Sequence, residues 1–162
     1  MKKIGVISDT HLMHANNYIR KIVKDYFADV SILIHAGDVV SLDVLDVFCE
    51  PSKVTIVVSG NMDNPDIKNA FPSKQVLKID EVTIGIIHGW GSPFGIRDRI
   101  RTEFSDVHVI VYGHTHQAFN QVENGILFFN PGSPTDTRFT KENSIGIIYV
   151  QGKNVHGELI VL

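Results

Sequence analysis

The sequence predicts an α/β fold in which two β-sheets pack face to face, with helices on the outside. Short apolar runs alternate with helical patterns in the opening part of the chain, which is typical of parallel strands joined by crossover helices. The remainder carries mainly strand patterns separated by turn signals. This strand content is too high for one sheet between two helical layers, so we expect two sheets that share a buried interface.

The opening part predicts three parallel strands and two helices. Its apolar runs are 4–8, 30–35 and 54–58. Between the first two runs, apolar residues from Tyr18 to Phe27 recur at helical spacing and predict an amphipathic helix over 15–28. Between the second and third runs, Ser41 can cap a short helix.

The rest of the chain predicts a hairpin, a third helix and five further strands. The runs 75–79 and 82–88 lie two residues apart and predict the hairpin. Apolar residues spaced four apart from Ile96 to Phe104 predict the helix. The further strands are predicted at 107–112, 118–122, 126–129, 144–150 and 154–161.

Length, charge and cysteine content limit the class of protein. At 162 residues we expect one domain over 1–162. The net charge of −3 offers no basic surface, so we do not expect binding along a nucleic-acid backbone. No apolar run approaches a membrane span, and the start, MKKIGVISDT, is too poor in apolar residues for a signal peptide. With a single cysteine, Cys49, no internal disulfide can form, and we expect a cytoplasmic protein whose oligomeric state the sequence does not indicate.

Polar residues that can bind metals stand at the ends of five predicted strands. The carboxyl ends of parallel strands share one edge of a sheet, where α/β proteins bind ligands. We therefore expect convergence of Asp9, His11, Asp38, Asn61, His88, His114 and His116. Each residue alone is also typical of a turn, a helix cap or a satisfied polar group. Together they are too many for one tetrahedral site and sufficient for two divalent ions that share a carboxylate.

The same residues occur in five motifs with a fixed order along the chain. These are Asp9-Thr10-His11, Gly37-Asp38, Gly60-Asn61-Met62-Asp63, His88 and Gly113-His114-Thr115-His116. In them the chain resembles the calcineurin-like metallophosphoesterases, and Asn130-Pro131-Gly132-Ser133-Pro134 resembles their small, single-domain phosphodiesterase branch. The resemblance implies a four-layer α/β/β/α sandwich of two mixed sheets flanked by helices. It also implies a metal-dependent hydrolase that acts on a small phosphoester.

The resemblance further implies a role for each candidate ligand. One metal would be held by Asp9, His11 and His116, and the other by Asn61, His88 and His114. Asp38 would bridge the two. The expected cofactor is a pair of divalent ions, with Mn first and Ni, Fe or Zn as alternatives. A hydroxide that bridges the ions would attack the phosphorus.

Met62 stands where many relatives carry the histidine that protonates the leaving oxygen. Methionine has no proton to donate, and general acid catalysis typically contributes about 10²–10⁴-fold. We therefore expect activated phosphodiesters, whose leaving groups depart as stable anions. Asn61 and Asp63 are the candidate catalytic residues, and Asp63 could substitute for the missing acid by positioning a water or an imidazole. Three residues could contact substrate or be plain surface residues: His14, Trp90 and Arg138.

Three other functions compete with this expectation. A protein-binding scaffold of the same fold, such as the retromer subunit of this superfamily, would bind metal without turnover, and that subunit also lacks the acid histidine. A nuclease is opposed by the net charge. A dinucleotide site at Gly89-Trp90-Gly91-Ser92-Pro93-Phe94-Gly95 is opposed by Pro93 and by its third glycine, which comes one residue late for the G-x-G-x-x-G pattern.

Overall fold

The computed structural model describes residues 1–162. The strands are β1 (Lys2–Ile7), β2 (Ile32–His35), β3 (Val54–Val57), β4 (Lys74–Ile79), β5 (Val82–Ile87), β6 (Val109–Tyr112), β7 (Phe119–Glu123), β8 (Ile126–Asn130), β9 (Ser144–Gln151) and β10 (Asn154–Val161). The helices are α1 (Asn17–Tyr26), α2 (Leu42–Asp46), α3 (Pro65–Ala70) and α4 (Ile96–Arg101). None of these helices has the length and apolar character that a membrane span requires.

The strands form two mixed sheets of five strands each. The order is β10-β9-β1-β2-β3 in the first sheet and β4-β5-β6-β8-β7 in the second. Strands β1, β2 and β3 are parallel, and so are β5, β6 and β8. The predicted hairpin is confirmed, because β4 and β5 pair antiparallel, with Lys74 opposite Ile87 and Ile79 opposite Val82.

Three apolar clusters hold the layers together. Ile4 and Val6 of β1 belong to the same buried cluster as Ile84 of β5, so the two sheets pack face to face. The outer face of the first sheet is covered by α1, α2 and α3, and that of the second by α4, which packs Ile100 near Tyr112. Burial of each such side chain contributes about 1.5–3 kcal/mol. The result is the expected four-layer α/β/β/α sandwich.

The helices differ from expectation at the ends of α1, which stops at Tyr26, at the end of α4, which stops at Arg101 before Phe104, and in the presence of α3. α1 begins at Asn17, two residues later than predicted, because Oδ1 of Asn16 accepts a hydrogen bond of 3.0 Å from the N–H of Ile19. α3 was not expected at all. It has Pro65 in its first turn and buries only Ile67, so its apolar pattern is too short to recognise in the sequence.

Candidate functional site

The structure brings all seven candidate ligands together at one end of the sandwich. Asp9 and His11 follow β1, Asp38 follows β2 and Asn61 follows β3. The other three come from the second sheet, where His88 follows β5, and His114 and His116 follow β6. The candidate site therefore lies across the carboxyl ends of both parallel groups of strands, and both sheets are needed to build it.

The carboxylate of Asp9 lies at the centre of the first group. Its Oδ1 is buried and accepts no hydrogen bond. Around it lie three imidazole Nε2 atoms, of His116 at 3.2 Å, His11 at 3.7 Å and His88 at 3.9 Å. The Nε2 atoms of His11 and His116 are 3.2 Å apart. A buried oxygen without a donor, surrounded by nitrogen lone pairs, is the arrangement that a divalent cation completes.

The carboxylate of Asp38 lies between the two histidines that belong to different expected metal sites. Its Oδ2 is 3.2 Å from Nε2 of His88 and 3.5 Å from Nε2 of His11. Its Oδ1 accepts a hydrogen bond of 2.8 Å from the N–H of Met62. Oδ1 is therefore fixed by the backbone, and Oδ2 lies between His11 of one expected metal site and His88 of the other.

Asn61 and His114 complete the second group. Oδ1 of Asn61 is 3.1 Å from Nε2 of His88 and 3.1 Å from Nδ1 of His114. Backbone carbonyls fix the opposite ring nitrogens, since Nδ1 of His88 donates to the oxygen of Ala36 and Nε2 of His114 donates to that of Gly91, both at 2.8 Å. These bonds select the tautomers that leave one nitrogen of each ring free to bind a metal.

Proton affinities in this cluster shift as expected for opposite charges brought together. Burial alone would raise the pKa of Asp9, but the charge of His88 and the close imidazoles of His11 and His116 outweigh it and lower that pKa. Burial opposes protonation of His88, yet the carboxylates of Asp9 and Asp38 raise its pKa to about 9. The pKa of His116 is also raised, because the adjacent carboxylates of Asp9 and Asp136 outweigh the effect of burial. The cluster thus attracts positive charge, which protons supply when no metal does.

The backbone at the candidate ligands is strained. Five of the seven have a positive φ: Asp9, His11, Asp38, His114 and His116. Residues other than glycine rarely adopt this left-handed conformation, and such strain is concentrated at functional sites. Two glycines make room for the carboxylates. A β-carbon at Gly60 would lie 2.1 Å from Oδ1 of Asp38, and one at Gly113 would lie 2.7 Å from Oδ2 of Asp9.

Asp63 supports the strained segment around Asp38. Its buried carboxylate accepts hydrogen bonds from the N–H groups of Asp38 at 3.1 Å, Val40 at 2.6 Å and Gly60 at 2.7 Å. Val40 is β-branched and has a φ of 76°, which is unfavourable without such support. Burial raises the pKa of Asp63, while the amide bonds oppose that rise.

Asp136 is a neighbour of the candidate ligands that the sequence did not indicate. Its carboxylate forms an ion pair with Nδ1 of His116, and it also accepts from Nε of Arg138 at 2.9 Å. Burial would raise its pKa, but the hydrogen bonds from Arg138 lower it to about 2. Asp136 is thus the carboxylate that orients His116. No sequence pattern relates these two residues, because the contact arises only when the loop after β8 folds back.

The loop after β8 also holds the segment around Asp9. Ser133 Oγ donates to the backbone oxygen of Asp9 at 2.8 Å, and Thr135 Oγ1 donates to that of Thr10 at 2.6 Å. Nδ2 of Asn130 donates to the oxygen of Gly113 at 3.0 Å. This loop therefore ties the first and fifth motifs together.

A cavity of about 380 Å³ opens over the candidate ligands. It is lined by five of them and by Met62, Pro93, Thr115, Arg138 and Phe139. Met62 and Phe139 are 60% and 61% exposed, so two apolar side chains stand at its rim beside Arg138. Trp90 lies outside this cavity, and His14 is a surface residue whose Nδ1 is 3.8 Å from Asp43.

Comparison with known proteins decides the family. The sequence model of the calcineurin-like phosphoesterase superfamily domain matches residues 1–153. The chain belongs to this superfamily. It is 41% identical over 138 residues to a probable metallophosphoesterase of Methanocaldococcus jannaschii. The aligned region covers 83% of this chain and 69% of the relative.

Solved structures of the calcineurin-like fold agree. A protein described as a novel archaeal phosphodiesterase is 28% identical, with a TM-score of 0.76 over 99% of both chains. Vps29 of Entamoeba histolytica, as a single mutant, is 21% identical, with a TM-score of 0.74 over 99% of both chains. The similarity to Vps29 is one of fold alone. This calcineurin-like chain is thus a metallophosphoesterase by family, with a group of side chains that can hold metal.

Proposed function

We propose that this metallophosphoesterase is a dinuclear phosphodiesterase that acts on small, activated phosphodiesters. The observation that carries the proposal is the environment of Asp9 Oδ1, a buried acceptor without a donor and within 3.9 Å of three imidazole nitrogens. A cation at this point would satisfy all four atoms. Hydrogen bonding within the protein does not provide such a partner.

The two ions would be divided as the family resemblance implies. Asp9, His11 and His116 would hold one ion. Asn61, His88 and His114 would hold the other. Asp38 would be shared, which its position between His11 and His88 supports. Mn²⁺ is the first candidate, because a donor set of carboxylate, amide and imidazole groups without thiolate suits it, and Ni, Fe or Zn would also fit.

Two divalent ions in such a site supply Lewis acidity toward phosphate oxygens and activate water near neutral pH. The chain itself provides the orientation. Carbonyls of Ala36 and Gly91 fix the rings of His88 and His114. Asn61 contributes a neutral oxygen, which adds no negative charge beside an anionic phosphate. We propose that Asp63 acts as a positioning residue, because three backbone amides occupy its carboxylate.

The preference for activated diesters rests on Met62. Its N–H fixes Asp38, while its side chain lines the cavity and offers no proton to a departing oxygen. Phe139 and Pro93 continue this apolar rim. A leaving group that departs as a stable aryl oxide needs no acid and packs well against such a rim.

The test is metal content followed by hydrolysis of bis-(p-nitrophenyl) phosphate with added Mn²⁺. We expect two ions per chain and metal-dependent release of p-nitrophenol. Asp38→Asn should lose metal and turnover together. Asp29→Asn, at an exposed carboxylate that pairs with Lys3 far from the site, should retain both. Retention of metal and full turnover by Asp38→Asn would contradict the proposal.

A protein-binding scaffold is the second candidate. Exposed apolar side chains near the site favour it, since Phe94 is 91% exposed in addition to Met62 and Phe139. Full metal occupancy without turnover of any phosphoester, across several metals, would support the scaffold. Turnover that depends on Asp38 would exclude it.

A further inference from the structure

A second cavity borders the candidate site at Asn61. We call it the lysine groove and define it by Ser59, Lys68, Ser73, Lys74, Trp90 and Glu103. Its volume is about 370 Å³, close to that of the cavity over the ligands, and Asn61 lines both. The two cavities therefore meet at a candidate metal ligand.

The lysine groove carries an unbalanced positive charge next to that ligand. Lys74 is paired, because its Nζ is 2.7 Å from Oε2 of Glu103. Lys68 forms no ion pair, and its Nζ donates to the backbone oxygen of Asn61 at 2.8 Å. An ammonium keeps two further N–H donors when one is used. Lys68 is thus free to bind an anion within the groove.

The other cavity has a different character. Met62, Pro93 and Phe139 line it with apolar side chains, and the guanidinium of Arg138 in its lining is paired with Asp136. A phosphodiester has two ester arms, and a phosphate held beside Asn61 would adjoin both cavities, so that each arm could occupy one of them. The side chains that line each cavity would then decide which ester arm of the substrate binds there. An apolar leaving group suits the rim, and a negatively charged arm suits the lysine groove.

We propose that the lysine groove binds a second phosphate, carried on the arm of the substrate that does not leave. The substrate class is then an asymmetric phosphodiester with one apolar arm and one phosphorylated arm. Trp90, 43% exposed, forms a wall of the groove on which a ring in that arm can stack. This inference rests on the proposed phosphodiesterase function and adds a substrate class to it.

Two substrates that differ only in the second phosphate test the inference. They are thymidine 5′-(p-nitrophenyl phosphate) and its 3′-phosphorylated form, which release the same p-nitrophenol. In wild-type protein with Mn²⁺ we expect kcat/KM to be about 10-fold higher for the phosphorylated form, a typical gain for a charge-assisted hydrogen bond. The ratio of the two values cancels any general loss of activity in a variant.

Variants that should change this kcat/KM ratio in opposite directions make the test specific. Lys68→Met should reduce the ratio to about 1, whereas Glu103→Gln should raise it several-fold, because it releases Lys74 from its pair. Lys153→Met, in the exposed turn between β9 and β10, should keep the wild-type ratio. A ratio that none of these changes alters would overturn the inference.

A binding measurement separates this inference from the proposed function. Titration calorimetry with thymidine 3′,5′-bisphosphate and thymidine 5′-phosphate needs no turnover. A tighter bisphosphate complex that weakens in Lys68→Met, in a protein that hydrolyses nothing, would support the groove and contradict the function. Turnover of both diesters with equal binding of the two nucleotides would support the function and overturn the groove.

Discussion

Gly60 and Asp38 pack so closely that a β-carbon on Gly60 would stand 2.1 Å from Oδ1 of Asp38. Gly60→Ala must therefore displace the carboxylate that faces both sides of the site. We expect kcat/KM for bis-(p-nitrophenyl) phosphate to fall about 100-fold, the scale of a misplacement near 1 Å. Gly125→Ala is the control, since its φ of +82° carries strain but nothing lies within 4 Å. It should lower stability while leaving kcat/KM intact, and equal activity of both variants would refute the expectation.

Asp63→Asn should unfold more easily, because its amide cannot accept three backbone hydrogen bonds. Leaving buried N–H groups of Asp38 and Gly60 facing an NH₂ group should cost about 3 kcal/mol of unfolding free energy. Urea denaturation of the metal-free protein measures this, with the exposed Asp66→Asn as the control. If stability is unchanged while kcat falls, Asp63 takes part in the chemistry and our positioning role is wrong.

Asp136→Ala should weaken metal binding by about 10–100-fold, because His116 loses the carboxylate that orients its ring. At saturating Mn²⁺ most of kcat should return, which a direct role in chemistry would not allow. Titration of metal with activity as the readout measures both quantities. Glu142→Ala removes an exposed carboxylate from the same loop and should behave as wild type. Unchanged metal affinity in Asp136→Ala would show that Asp136 does not orient His116 for metal binding.

Met62→His should broaden the range of leaving groups. In wild type we expect nitrophenyl esters to react far faster than alkyl phosphoesters, because no acid protonates the alkoxide. The side chain at position 62 is 60% exposed in the cavity, so a histidine fits there without repacking. Its acid should speed the alkyl esters by about 100-fold or more. Met62→Leu is the matched variant without an acid, and equal wild-type rates for both ester classes would exclude the idea.

His35 should make the protein less stable in acid. It is fully buried, and burial lowers its pKa to about 3. Below about pH 6.5 the unfolded chain binds a proton that the folded protein refuses, so stability falls with decreasing pH until about pH 3. The slope from this group is at most about 1.4 kcal/mol per pH unit.

The check is unfolding free energy against pH in His35→Leu. We expect a smaller loss between pH 6 and pH 4 than in wild type, whatever the absolute stability of the variant. His14→Gln, at an exposed side chain, should keep the wild-type slope. Parallel plots of unfolding free energy against pH for wild type and His35→Leu would show that another group causes the loss of stability in acid.

The sequence predicted those parts of the structure that rest on local patterns. Apolar runs such as 54–58 marked the strands, and the polar residues after them lie together because parallel strands share an edge. α3 was not predicted, because six residues with one buried isoleucine show no helical periodicity. Sheet order was also out of reach, since nothing local places β8 between β6 and β7.

The support around the candidate ligands could not be predicted for the same reason. The contact of Asp136 with His116 and the bonds of Asp63 to Val40 depend on backbone turns with positive φ. A sequence shows an aspartate in a loop but not the direction in which the loop turns. The environment of Asp9 is similar, because its proximity to His88 depends on how the two sheets dock.

That docking gives the site a mechanical consequence. Because the candidate ligands come from both sheets, any sliding of one sheet over the other would pull His88, which follows β5, away from Asp38 and Asp9, which follow strands of the first sheet. Ions held there would bind residues of both sheets and would therefore stabilise the packing of one sheet on the other. The number of bound ions per chain would then depend on whether the two sheets are correctly packed.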